Sequence, residues 1–180
     1  RVVERLRTGI EVLDRKLDGG IPAGSIVALT ADPASQAELF LYELTATRGT
    51  LYLSLDRTGN SVSNSIRGSP ARTGDPTVRD VTGVDPVDIL ERQEPPRFRN
   101  FMNELQNHIY NTGSLALLHC LDGQDVPELR DTTHHMADIV FDLDTSVKGD
   151  RIENRLAIPK FRGGVAPSEV IKLELSEEVA

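Results

Sequence analysis

Residues 28–44, ALTADPASQAELFLYEL, run from a short apolar strand (Ile26–Leu29) through a small-residue loop into a helix-period pattern. That is the setting of a phosphate-cradling loop, in which backbone N–H groups turn inward on phosphate oxygens. Such a cradle needs glycines for the turn, a lysine reaching the β/γ-phosphates and a hydroxyl for magnesium. The loop here, ADPASQAE, has no glycine and no lysine, and Glu38 stands where the hydroxyl should sit. A carboxylate at that point repels a β-phosphate.

Other residues have types that can do chemistry. Asp56 follows the strand-like run TLYLSL (50–55) and could act as a base, although a strand-end aspartate more often caps or turns. His119, Cys120, Asp122, His134 and His135 are metal-ligand types. His134 and His135 are adjacent, so on a helix they diverge by about 100° and cannot both face one ion. No paired-cysteine spacing supports zinc, and no metal is expected. A strand-end histidine such as His119 ordinarily packs or is solvated, and no Ser, His and acid grouping stands out. Arg57, Arg67 and Arg72 sit in a loop rich in Gly and Ser. Such a loop can follow nucleic-acid phosphates, but no aromatic residue interleaves the arginines to stack bases. A solvated loop is the simpler reading.

The elements that must position these residues alternate. Periodicity predicts a buried strand at 26–30 and a helix at 34–47 with Ala37, Phe40, Leu41 and Leu44 inward. A second strand follows at 50–55, and then a polar loop at 57–77 with a turn of helix around Val62–Ile66. A short strand at 77–83 and a short helix at 86–93 come next. The helix at 97–111 is the clearest element: Phe98, Phe101, Met102, Leu105 and Ile109 form one apolar stripe, and Gly113 stops it. LALLHC (115–120) is a fully apolar strand, followed by a helix at 125–136 and strand-like runs at 138–145, 154–160 and 169–175. This order predicts an α/β fold with a parallel sheet extended by a terminal antiparallel hairpin.

Bulk properties set limits. The 180 residues fit one domain spanning 1–180, and 38% hydrophobic with 4% aromatic content gives a modest aliphatic core. No run approaches the roughly 18 apolar residues of a membrane span, and no signal-like segment opens the sequence. The sequence opens at Arg1 rather than methionine, which leaves room for a preceding segment. One cysteine rules out an internal disulfide framework and fits a reducing cytoplasm. The net charge of −8 repels nucleic acid unless a local basic patch overrides it. Lysine is confined to Lys16, Lys148, Lys160 and Lys172. Excess carboxylate with scarce lysine suits a salt-adapted surface, and equally an ordinary acidic protein.

TGIEVLD (8–14) and LDGGIPAGSIVAL (17–29) resemble the entry to the RecA-like ATPase domain of the KaiC and RadA type. MADIVFDL (136–143) and NRLAIPKFRGG (154–164) resemble that family's closing strands with their Lys-x-Arg-Gly signature. The resemblance spans most of the chain. It implies a RecA-like, mostly parallel central sheet flanked by helices, with a C-terminal antiparallel β-hairpin extension. On that template Ala31 and Gln36 stand at the framing glycines, Ala37 at the lysine and Glu38 at the hydroxyl. It places Asp56 where an acidic residue activates water, and Arg57 where KaiC-type proteins often carry a second glutamate. The family's magnesium-holding aspartate ends the strand that looks like LALLHC, where this chain has His119 and Cys120. Lys160 and Arg162 match residues that reach a neighbouring subunit's γ-phosphate in a ring or filament. Flanked by Glu153 and Glu169, they also read as surface ion pairs. The family's recombinases contact DNA through long loops, whereas 123–135 is short and net acidic.

The expectation is therefore a catalytically inactive RecA/KaiC-like domain, a pseudo-ATPase without cofactor, acting as a regulatory or scaffolding module. Its partner would be another protein or a second copy, with Glu38 of one subunit meeting Lys160 and Arg162 of the next. The surface suggests the cytoplasm of a halophilic archaeon; membrane and nucleic-acid binding are not expected. Two alternatives stay open: a nucleotide-binding ATPase with a non-standard phosphate loop, using Asp56 with ATP and magnesium, or a DNA-associated recombination or repair paralogue.

Overall fold

Apolar runs punctuated by turn residues fix the strands, and the computed structural model describes residues 4–32, 36–37, 39–40, 50–54, 77–80, 95–113, 115–121 and 130–175. In chain order the elements are β1 (Arg5–Leu6), α1 (Glu11–Lys16), β2 (Ile21–Pro22), β3 (Ser25–Ala31), β4 (Thr50–Ser54) and β5 (Thr77–Asp80). Then come α2 (Pro95–Thr112), β6 (Leu115–Leu121), α3 (Arg130–Met136), β7 (Ile139–Lys148), β8 (Arg151–Phe161) and β9 (Ile171–Leu173). Ala37, Leu39 and Phe40 are helical, within the helix expected at 34–47. The helical turn expected at 62–66 and the helix expected at 86–93 lie outside the described residues.

Seven strands form one sheet in the order β5-β4-β6-β3-β7-β8-β9. β3 lies between β6 and β7, parallel to both, and β4 is parallel to β5 and β6. β7, β8 and β9 are antiparallel to one another in turn. The sequence reading is borne out: a mostly parallel α/β sheet with an antiparallel C-terminal extension.

All seven residues of β3 are buried, because helices cover both sheet faces and the strand is apolar on both. Val27, Leu29 and Ala31 face one core with Phe40, Phe141, Leu156 and Ile158. Ile26 and Ala28 face the other, with Met102, Leu105 and Ile109 of α2. Fully burying one such side chain is worth about 1.5–3 kcal/mol. Phe40 meets Phe141 edge-on at 5.8 Å, fixing the helical turn at 37–40 against β7.

Two features depart from the sequence reading. The hairpin strands were expected to end at 145 and resume at 154, but a two-residue turn at Gly149–Asp150 lets pairing run from Lys148↔Arg151 inward. Gly149 has φ 65°, which glycine adopts without penalty. Val147 and Ile152 are apolar but exposed, and the polar residues around them gave the outer pairs no core-facing pattern. β8 also carries a bulge: Val140 pairs with Lys160 but Asp142 with Ala157. The extra residue falls at Ile158–Pro159, where proline has no N–H for the ladder. Burial along β8 therefore runs Asn154, Leu156, Ile158 and then Phe161. The bulge returns Phe161 to the first core and turns Lys160 and Arg162 to the opposite face.

The entry segment, which showed no clear period, folds around two constraints. The buried Thr8 hydroxyl donates to Asp14 Oδ1 at 2.7 Å, and the Thr8 N–H donates to the same oxygen at 2.8 Å. This clasp explains why Thr and Asp stand six residues apart around α1. Gly20 has φ 134°, and a Cβ there would lie 2.2 Å from the Leu6 carbonyl oxygen where β1 pairs with β2. Only glycine fits.

Candidate functional site

β3 carries the chain to the loop where a phosphate cradle would sit. Ala31, at the first framing-glycine position, is still strand, 1% exposed and paired with both Leu121 and Leu143. The chain does not break into an inward turn there. Ala37, at the lysine position, is 3% exposed and belongs to the first core. A side chain leaving that point enters apolar packing.

Gln36, at the second framing-glycine position, is tied to the C-terminal hairpin. Its backbone N–H donates to Thr145 Oγ1 at 3.2 Å. The Thr145 hydroxyl in turn donates to Asn154 Oδ1 at 2.7 Å, and Asn154 Nδ2 donates to Gln36 Oε1 at 2.6 Å. The Gln36 carbonyl accepts from Phe40 N–H, opening the helical turn. Glu38 and Asp56 lie outside the described residues, as do Arg57, Arg67, Arg72 and Asp122.

On the opposite face, α3 is held at its carboxyl end. Lys160 Nζ donates to the carbonyls of His134 (3.2 Å) and His135 (2.6 Å), capping orphan acceptors at the negative end of the helix dipole. Burial pushes the Lys160 pKa below the usual lysine value, neighbouring Arg162 lowers it further, and Asp138 partly offsets both. Asp138 joins three strands: Oδ2 accepts from Ile26 N–H at 2.8 Å, and Oδ1 accepts from Arg162 at 3.0 Å. The structure thus gives Lys160 and Arg162 partners within the chain, while Arg162 remains half exposed.

Among the described residues the metal-ligand types do not converge. His134 Nε2 is 2.9 Å from Thr30 Oγ1, whereas His135 is exposed on another side of α3. Cys120 is buried in the second core, and His119 lies in β6 with its side chain outside the described residues. Among the described residues no group of three His, Cys, Asp or Glu could hold an ion. A cavity of about 670 Å³ opens elsewhere, lined by Arg5, Lys16, Phe161, Val165 and Val170, and includes none of the loop's described residues.

Sequence reasoning missed Thr145, Asn154 and Asp138. Asn154 had left a signal, since it stands in phase with Leu156 and Ile158 on a core-facing strand. A polar group there must find a partner. Its partner, more than a hundred residues away in sequence, could not be read.

Comparison with solved structures shows the same fold in the KaiC-like protein PH0186 from the hyperthermophilic archaeon Pyrococcus horikoshii OT3. The TM-score is 0.71 at 15% identity, over 98% of this chain and 97% of that one. No curated protein matches the sequence. A family of unknown function (DUF7125) matches it over residues 5–85 and 82–180. Among the described residues no helix is long and apolar enough to cross a membrane.

Proposed function

The chain belongs to the family of unknown function DUF7125, and we propose that it is a RecA/KaiC-like domain without ATPase activity that serves as a regulatory or scaffolding module for other proteins. The observation that carries this reading is the burial of Ala37 in the first core, at the position where a cradle's lysine would leave for the phosphates. A second group of features supports protein contact. Val147 and Ile152 are opposed across the hairpin and are 74% and 56% exposed; Val165 and Val170 stand exposed beside β9. On this reading the fold works by its surfaces, and its acidic, lysine-poor composition suits the salt-rich cytoplasm of a halophilic archaeon. A junction between Glu38 of one copy and Arg162 with Lys160 of the next would contribute only about 0.2–1 kcal/mol through its charges. The apolar hairpin residues would then carry most of the affinity.

The test is a titration of the purified protein with labelled ATP at high salt with magnesium, followed by a hydrolysis assay. Affinity weaker than millimolar and turnover at background support the reading. Micromolar binding, or turnover abolished by Asp56→Ala, overturns it.

A further inference from the structure

We infer that Gln36, Thr145 and Asn154 form a built-in latch in which the protein's own side chains occupy the loop amide that a phosphate would otherwise engage. The inference deepens the proposed function, and rests on it only for the meaning of the loop; the hydrogen bonds stand without it.

The three bonds close a ring through Gln36 N–H and Oε1, Thr145 Oγ1, and both polar atoms of the Asn154 amide. Thr145 Oγ1 accepts from Gln36 N–H and spends its single proton on Asn154 Oδ1. That fixes the Asn154 amide, whose Nδ2 donates to Gln36 Oε1. Asn154 is 2% exposed and points into the first core, so without these partners it would be left unsatisfied in apolar surroundings. The ring therefore cannot open without exposing a buried amide, and it closes with no ligand. It joins the loop after β3 to the hairpin across 109 and 118 residues of sequence. A working cradle ties its loop down through a bound phosphate; here the hairpin replaces it. The latch also sets the hairpin's position, since Val147 and Ile152 lie two pairs further out and so on the face that carries Thr145 and Asn154. The exposed apolar tip is thereby held in place without nucleotide.

The test is amide hydrogen exchange of the full chain by NMR, with inorganic phosphate as the probe. Thr145→Val should speed exchange of the Gln36 amide on the order of tenfold or more, because a local opening now exposes it. Thr145→Ser, which keeps the hydroxyl, should restore wild-type protection. Phosphate should leave the wild-type Gln36 amide unchanged. Unaltered protection in a folded Thr145→Val variant, a Thr145→Ser variant as unprotected as Thr145→Val, or slowing of the wild-type amide by phosphate would each overturn the latch. If Thr145→Val does not fold, Gln36→Ala reads the other side: faster exchange of the Asn154 side-chain amide supports the ring, and unchanged exchange overturns it. ATP binding that leaves the Gln36 amide untouched would remove the proposed function but keep the latch.

Discussion

If the loop position of a phosphate-reaching lysine has become core, the lysine cannot simply be put back. Ala37→Lys tests this directly. Ala37 is 3% exposed within the cluster that contains Phe40 and Leu156, both fully buried. Four added heavy-atom groups in a packed core cost about 1–3 kcal/mol through displaced neighbours. The amine would lose its charge rather than be buried ionised, and as an unpartnered neutral group it adds about 1–3 kcal/mol more. The expected loss is therefore about 2–6 kcal/mol. Ala37→Met, of similar length without the amine, should lose only the first part. Urea unfolding of the wild type and both variants at one salt concentration gives the two differences, and isothermal titration with ATP gives the functional readout. If Ala37→Lys loses under about 1 kcal/mol, the side chain has found a route to water. Combined with micromolar ATP binding, that result would refute the claim that packing closed the site.

Three further outcomes follow from the surroundings of Asp138, Gly20 and Lys160. Asp138→Ala leaves the Ile26 N–H, in a residue 1% exposed, without its 2.8 Å acceptor and breaks the Arg162 pair; a loss of about 2–3 kcal/mol is expected in chemical denaturation, with Asp138→Asn losing less because one acceptor remains. Gly20→Ala meets the Leu6 carbonyl at 2.2 Å at φ 134° and should cost more than about 3 kcal/mol, seen as a large drop in the thermal midpoint by circular dichroism. The folded-state pKa of Lys160 is lowered, so between that value and the ordinary one near 10.5 the unfolded chain binds more protons and stability rises with pH; Lys160→Gln should flatten this rise, and an unchanged slope would contradict the burial of the ammonium.

What could be read in the sequence was what repeats. α2 showed its stripe because Met102, Leu105 and Ile109 recur at the helical period and meet one core. β3 and β6 were visible as apolar runs because both of their faces are covered. The two-residue strands β1 and β2 have no period to show, and their geometry is held by single contacts at Thr8, Asp14 and Gly20. The outer hairpin was hidden because its residues are exposed on both faces. At the site, Ala31, Gln36 and Ala37 could be assigned by setting ADPASQAE on the phosphate-loop template, but the latch could not, since Thr145 and Asn154 come close only once the whole sheet has formed. A bulge at a proline in β8 decided which way Lys160 and Arg162 face, and local spacing does not reveal that shift of phase.

The described residues at the positions where a cradle would be expected have structural roles. Ala31 extends β3 by one more paired residue, Ala37 fills core against the sheet, and Gln36 satisfies a buried asparagine. A glycine at 31 would weaken the strand by roughly 0.5–1 kcal/mol relative to alanine, and a lysine at 37 would strain the packing. A glycine at 36 would strip Asn154 of its acceptor. At positions 31, 36 and 37 the residue a phosphate site requires would therefore cost this fold stability, and the residue present contributes to it. A cradle decaying at random would leave gaps or unpaired groups at these positions. Ala31, Gln36 and Ala37 are instead packed or hydrogen-bonded, so on the proposed reading building a phosphate cradle here would require undoing core, strand and latch together.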